Sequence, residues 1–327
     1  MVASLNKETV VELIKKYSVM LLLIVFVIIA SMVSNSFFTL SNFFNILQSY
    51  AAPGIIAIGM TFTILSSGTD LSVGSVAALA GMVSASLLAQ GFPVGISIIL
   101  GIIMGGLLGT ITGLIITFFQ LEPFIVSLAT MVSARGLAML TTDGKVISGL
   151  IKLDGGDTFC YLGGGSFEIL GERLPFAGLT WVAITLVMAY ILKYTNFGRG
   201  LYAIGGNKEA ALLSGVRVKL FNTLAWTISG MTAAYGGIML TSWLTVAQPT
   251  LASGFELDAI AAVVIGGTAM TGGKGGVGGT LVGVFILAII TNLFNLMGLP
   301  SYYQQIFKGI IIVGALLLNR VVSINEK

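Results

Sequence analysis

Residues 94–118 read VGISIILGIIMGGLLGTITGLIITF, 25 residues without one charged side chain. A helix needs about 20 apolar residues to cross the hydrocarbon core of a bilayer, so this run is long enough to span one. Within it Gly101, Gly105, Gly109 and Gly113 recur every fourth position and fall on one helix face. In lipid no hydrophobic effect drives helices together, and a stripe of small residues lets two backbones approach closely instead. The stretch reads as a membrane-crossing helix packed tightly against a neighbour. A glycine face lining a narrow path is the alternative use of the same pattern. The spacing returns at Gly275, Gly279 and Gly283.

The rest of the chain agrees with that segment. Of 327 residues 56% are hydrophobic and 9% charged, with a mean hydropathy of +1.02. A soluble domain carries about 25% charged residues because its surface must be wetted. Lipid must cover most of this surface. Ten apolar runs have spanning length, at roughly 18–36, 46–66, 71–90, 94–118, 123–142, 176–193, 219–246, 254–272, 277–297 and 301–319. The expected fold is an all-α integral membrane protein of about ten helices in a single domain, 1–327. The first run follows a polar lead with Lys7, Lys15 and Lys16 and precedes many more, so it reads as a retained helix, not a cleaved signal.

Charge sets the orientation. With both termini cytoplasmic, Lys7, Lys15, Lys16, Lys193, Arg199, Lys208, Arg217, Lys219, Lys274, Arg320 and Lys327 fall inside, and only Lys145, Lys152 and Arg173 outside. That is the asymmetry the positive-inside rule demands, and an odd number of spans would break it at the C-terminus.

Several chemistries are excluded. The chain has no histidine and one cysteine, Cys160, which removes zinc, haem and serine–histidine chemistry. Basic residues are scattered and the net charge is only +3, so no nucleic-acid surface is expected. Gly273-Lys274-Gly275-Gly276-Val277-Gly278 fits G-x-G-x-x-G but follows a span, and no acidic residue lies between Asp258 and Glu326 to hold a ribose. It is not a phosphate-binding loop either, since Lys274 is followed by glycine. The chain therefore has no nucleotide site, binds no cofactor or metal, and cannot hydrolyse ATP alone.

Two connections are long. The outer one, 143–175, holds Asp143, Asp154, Asp157, Glu168 and Glu172 against three basic residues, with Gly163-Gly164-Gly165 in its middle. It reads as an acidic flap placed to meet an extracytoplasmic partner, or as a solvated loop without one. The inner one, 194–218, contains Gly205-Gly206-Asn207-Lys208-Glu209-Ala210-Ala211-Leu212-Leu213-Ser214-Gly215 and then Arg217. Asn207 suits an N-cap, Glu209 the positive end of a helix, and Gly215 a left-handed stop, which brackets a two-turn helix. Such a helix lying on the inner membrane face is a docking element.

Charge inside a bilayer is costly, and Asp70, Arg135, Glu256, Asp258 and Lys308 lie in or at the ends of spans. Capping, pairing and interface anchoring account for most of them, with Asp70 placed to cap the helix that follows. Their position near span ends argues against a proton relay. The expected translocation path takes Asp70 and Ser72 together with Gln48, Asn292, Asn295, Tyr303 and Gln304, polar groups that suit a neutral, hydroxyl-rich solute.

Several stretches are shared with a known family. Gly59-Met60-Thr61, Gly68-Thr69-Asp70-Leu71-Ser72-Val73-Gly74-Ser75, Ala203-Ile204-Gly205-Gly206-Asn207, the run from Gly254 to Thr268 and Gly272-Gly273-Lys274-Gly275 resemble the ribose-type family of ABC sugar importer permeases. Ala247-Gln248-Pro249-Thr250 and Ser301-Tyr302-Tyr303-Gln304 add to the likeness, which extends from about residue 20 to 320. Ser67 and Thr69 depart from it, standing where the family has Gly and Ile. The resemblance implies a permease homodimer in the bacterial inner membrane, a cytoplasmic ATPase holding ATP and Mg, and an extracytoplasmic sugar-binding protein. It also implies that Gly205, Gly206, Asn207, Lys208, Glu209, Ala210, Ser214, Gly215 and Arg217 form the coupling element. Glu209-Ala210-Ala211 with Gly215 fits the E-A-A-x-x-x-G opening of the importer coupling motif. An ion-coupled secondary transporter or a facilitator for sugar is the rival reading.

Overall fold

Long uncharged runs fold as helices because, away from water, only a helix or a closed barrel satisfies its own backbone amides. The computed structural model describes residues 7–169 and 171–324, and only the backbone over 7–18, 311–312 and 315–324. Lys327, used in the charge count, lies outside the described residues, as do the side chains of Lys7, Lys15, Lys16 and Arg320.

In chain order the helices begin with α1 (Lys7–Val33), α2 (Leu40–Leu65), α3 (Val73–Ala89), α4 (Val94–Phe119) and α5 (Pro123–Leu140). Next come β1 (Ile147–Ser148), α6 (Gly156–Gly164), β2 (Ser166–Ile169), β3 (Glu172–Pro175) and α7 (Phe176–Tyr194). Then follow α8 (Asn196–Gly206), α9 (Lys208–Leu213), α10 (Val218–Leu244) and β4 (Val246–Ala247). The chain ends with α11 (Phe255–Ile265), α12 (Val277–Leu296) and α13 (Ser301–Ile324). Of these, α2, α4, α5, α7 and α12 are long and apolar enough to cross a membrane, and Val19–Val33 and Val73–Ala89 are shorter apolar helices.

The bundle is layered by side-chain size. In its spanning window α2 is 67% buried and α5 22%, which puts α2 at the centre and α5 at the periphery. Large aliphatic side chains point outward, among them Ile99, Leu107 and Ile111 of α4, while Gly101, Gly105, Gly109 and Gly113 on the same helix point in. The glycine face packs on α3 and α10: a Cβ at Gly109 would run into the Trp226 carbonyl, and one at Gly230 into the Gly105 carbonyl. Helix packing, not a path, is what the stripe does. Gly279 and Gly283 likewise seat α12 against Gly266 and Ala262 at the end of α11.

One expected span proves to be broken. The run 254–272 is helical only over Phe255–Ile265, 11 residues or about 16 Å of rise, half the hydrocarbon thickness. The remainder is a turn in which Gly267 and Gly272 take φ of +84° and +85°, a backbone that side chains with a Cβ rarely adopt. Ahead of α11 runs the irregular segment 248–254, in which Pro249, Leu251 and Ala252 are buried and Arg135 Nη1 donates to the Leu251 carbonyl at 3.0 Å. The expected run 71–90 forms as the continuous helix α3, which starts deep in the bundle, beside Ser229, after the irregular segment 66–72. Gly74 of α3 lies against the Ala252 carbonyl and the Glu256 carboxylate, so the N-termini of α3 and α11 meet in the interior from opposite sides. Non-helical backbone at such depth is tolerated where protein surrounds it.

The segment 143–175 is a folded cap instead of a loose flap. Strand β1 pairs antiparallel with β4, β2 with β3, and α6 lies between them. Ser242 Oγ donates to the Phe159 carbonyl and accepts from Gly163 N, both at 2.7 Å, which pins α6 to α10.

Candidate functional site

At the bundle end opposite the cap, α7 passes into α8, α9 and α10. Thr195 caps α8 by accepting from Gly198 N at 3.2 Å, and Asn207 caps α9 by accepting from Ala210 N at 2.9 Å. Glu209 stands in the first turn of α9, Ser214 Oγ donates to the Ala210 carbonyl at 2.8 Å, and Gly215 takes φ +79°. The caps read from the sequence are therefore the ones that form. Only six residues, Lys208–Leu213, are helical in that stretch. Ala211 faces a small buried cluster with Ile204 and Val218, while Leu212 and Leu213 are 63% and 89% exposed. Two adjacent leucines facing outward beyond the spans form an uncovered apolar tip.

The expected coupling set divides in the structure. Lys208, Glu209 and Ala210 belong to α9, and Ser214 and Gly215 stop it. Gly205 and Gly206 instead close α8, a helix the sequence reading did not anticipate. A Cβ at Gly205 would collide with the Leu65 carbonyl at the end of α2 and with Gly273 N in the turn after α11. Tyr202 Oη donates to the Gly275 carbonyl at 2.8 Å, and burial pushes its phenol above the ordinary value, so it stays a donor at neutral pH. Through α8, then, α9 rests on the turn that ends the α11 half-span. Arg217 stands apart from α9, as the residue before α10.

The expected path residues fall into separate groups. Asp70 and Ser72 are buried in the interior, where the carboxylate accepts from Ser72 N (2.9 Å), Ser72 Oγ (2.6 Å) and Ser229 Oγ (2.7 Å). Asp70 thus pins the 66–72 segment to α10 instead of capping α3, whose N-cap position is Ser72. Gln48 donates to the Gly163 carbonyl at 2.6 Å and holds α2 to the cap. Asn292 exchanges two amide hydrogen bonds with Asn42, at 3.0 and 2.7 Å. Asn295 accepts from Gln304 at 2.8 Å on an exposed corner where Tyr303 stacks on Tyr302. Tyr50 Oη, buried, donates to the Leu287 carbonyl at 3.1 Å, and Lys308 pairs with Asp258 at 2.8 Å. Asn42, Tyr50 and Ser229 went unnoticed in the sequence, since each becomes notable only through a partner more than 150 residues away.

Over residues 42–316 the chain matches the protein family described as the permease component of the branched-chain amino acid transport system. It is 45% identical over 303 residues to the ribose import permease protein RbsC of Bacillus subtilis (strain 168), covering 91% of this chain and 90% of that protein. The RbsC of Haemophilus influenzae is 42% identical over 297 residues, 90% of each chain. The D-allose transport system permease protein AlsC of Escherichia coli (strain K12) is 33% identical over 312 residues, 94% of this chain and 92% of that one. No solved structure matches.

Proposed function

The chain belongs to that family of transport-system permease components, and we propose that it is the membrane-spanning subunit of an ABC importer for ribose or a closely related monosaccharide. One observation carries the substrate class: the relatives at 42–45% identity, over nine-tenths of both lengths, are ribose import permeases. The chain is an integral protein of the bacterial inner membrane and a transport subunit, not itself an enzyme.

Ten crossings account for the fold. They are α1, α2, α3 with segment 66–72, α4, α5, α7, α10, segment 248–254 with α11, α12 and α13. An even number returns both termini to one side. Lys193, Arg199, Lys208, Arg217, Lys219 and Lys274 gather at the α9 end and Lys145, Lys152 and Arg173 at the capped end, so the α9 end is cytoplasmic.

Transport is driven from outside the chain. A cytoplasmic ATPase, which holds the ATP and Mg, docks on α9 through Lys208, Glu209 and the exposed Leu212 and Leu213. Closure of two such subunits pushes α9 against α8 and the 266–276 turn, and rearranges a permease homodimer around the sugar. An extracytoplasmic binding protein delivers that sugar to the folded cap. Gln48, Asp70, Ser72, Asn292, Asn295, Tyr303 and Gln304 remain the candidates for shaping the route.

The test is labelled-ribose uptake into proteoliposomes holding the permease, the ATPase and the binding protein. Uptake should require all three and ATP, and leucine should not compete. Uptake that persists without the ATPase would make the chain a facilitator.

A further inference from the structure

We propose that the cleft between α8 and the 214–221 segment that leads into α10 holds the phosphate headgroup of an anionic phospholipid. The cleft is open, with a volume of about 740 Å³, and its rim carries Arg199 and Arg217 with Thr195, Asn196 and Ser214 over a floor that includes Phe221. None of its eleven lining residues is acidic. Arg199 reaches Asn196 Oδ1 and the Tyr194 carbonyl within its own turn, so its guanidinium is held at the rim by neutral acceptors, and among the described residues no carboxylate pairs with it. The Thr195 and Ser214 hydroxyls are engaged on the Ile191 and Ala210 carbonyls, so the match to a phosphodiester, whose oxygens take paired N–H donors, rests on the two guanidiniums.

Position decides between a lipid and another anion. The cleft lies where α7 ends at Tyr194 and α10 begins at Val218, the level of the membrane surface. Beside it the rings of Tyr190 and Tyr194 meet at a tilt, 5.2 Å apart, on the outward face of α7, 62% and 59% exposed, in line with the exposed Leu186 and Val187. Exposed tyrosines at the end of an apolar helix face mark the headgroup layer, so the basic rim, which begins at the next residue, Thr195, lies at that level. Lys193 Nζ lies 5.2 Å from the Tyr194 ring and Lys219 Nζ 4.7 Å from the Phe118 ring, which brings two more cations to the same level. Basic pockets between helix ends on the cytoplasmic side are suited to anionic headgroups. The apolar tip of α9 suits a protein partner, whereas this basic, aromatic-fringed recess suits a lipid.

The headgroup site rests on the orientation proposed above, which puts this cleft in the inner leaflet. The measurement has no sidedness, so a wrong orientation and a missing headgroup site give different results. The full chain is released from nanodiscs containing equal parts phosphatidylglycerol and phosphatidylcholine of identical acyl chains, and retained lipids are counted by native mass spectrometry. Wild type should retain phosphatidylglycerol preferentially. Arg199→Gln and Arg217→Gln should each lower that retention about five-fold, ~1 kcal/mol at 1.4 kcal/mol per decade. Arg199→Lys should restore part of it, having the charge without the fork. Lys145→Gln, at the capped end, should leave it unchanged. Helical content and elution volume check that each variant folds; should the glutamine variants fail, the contrast between Arg199→Lys and wild type carries the test. Equal retention of the two lipids by wild type, or unchanged retention in both arginine variants, overturns the proposal. Displacement of the lipid by inorganic phosphate alone overturns it in favour of a free-anion site. Loss of ATPase binding with lipid retention intact assigns the rim to that partner.

Discussion

Replacing Asn207 by alanine removes one hydrogen bond, Ala210 N to Asn207 Oδ1 at 2.9 Å, from the helix proposed to receive the ATPase. α9 has six helical residues, and isolated helices below about 12–15 residues are marginal in water. What holds it is short to state: the Asn207 cap, the burial of Ala211 against Ile204 and Val218, and the left-handed stop at Gly215. Losing an N-cap side chain to alanine costs ~1 kcal/mol, which changes the ratio of formed to frayed helix about five-fold. None of the spans depends on that bond. Asn207→Ala should therefore lower ribose uptake and sugar-stimulated ATP hydrolysis together, by up to about five-fold, while the melting temperature of the purified permease stays put. Asn207→Ser and Asn207→Asp keep a capping oxygen and should hold near wild type, and Asn207→Gly, worth only a few tenths of a kcal/mol, should fall slightly. Uptake by Asn207→Ala equal to wild type, or Asn207→Ser failing as badly as alanine, would refute the reasoning. So would a parallel drop in melting temperature, because the effect would then lie in the bundle and not in α9.

Two further outcomes follow from the buried polar groups. Asp70→Ala leaves Ser72 N, Ser72 Oγ and Ser229 Oγ without their shared acceptor, and at about 1 kcal/mol or more for each stranded donor it should lower the melting temperature in detergent by roughly 5–10 °C. Asp70→Asn keeps one acceptor oxygen and should lose distinctly less; an alanine variant melting with wild type would rule out the pinning role. Cys160, the sole cysteine, is buried in α6, and burial first, then the Asp157 charge, push its thiol above the ordinary value. A raised value keeps the unreactive protonated form to higher pH, so maleimide labelling of the native chain should lag that of the denatured chain and climb only at more alkaline pH. Asp157→Asn should move the curve modestly toward lower pH. Native and denatured chains labelling alike would contradict the burial.

Local chemistry was legible in the sequence, and long-range chemistry was not. The α9 cap could be read because Asn207, Glu209 and Gly215 act on backbone within a few residues of themselves. The apolar runs could be read because a bilayer imposes a length. The α11 half-span was overestimated since Gly266 to Gly272 counts as apolar, although its glycines serve left-handed turns and the close seat of α12. Helix α8 was missed for the opposite reason. Gly198, Gly200, Gly205 and Gly206 each weaken a helix by up to about 1 kcal/mol, yet at Gly198, Gly200 and Gly205 a Cβ would collide with Leu192, Phe221 and Leu65, so close packing overrides propensity. The polar route residues could be nominated but not grouped, because the partners of Gln48 and Asn292 sit 115 and 250 positions away.

The family's description names branched-chain amino acids, whereas the relatives at 42–45% identity import ribose, and the charges within the bundle bear on that difference. A zwitterionic amino acid would bring an ammonium and a carboxylate into a low-dielectric interior, where each needs a counter-charge or several aimed dipoles. The charged side chains at that depth are already engaged by the protein. Lys308 is paired with Asp258, Arg135 donates to the carbonyls of Pro249 and Leu251, Asp70 is held by three donors, and Glu256 accepts from Gly254 N at 3.3 Å. Recruiting any of them for a zwitterion would break a contact the protein already makes. A monosaccharide makes no such demand, since hydroxyls exchange hydrogen bonds with amides and phenols of the kind that the route candidates Tyr303 and Gln304 carry on α13. Charge used up in holding the bundle together thus leaves neutral polar groups for the solute, which favours a sugar over an amino acid and over an ion-coupled carrier that needs a free buried carboxylate.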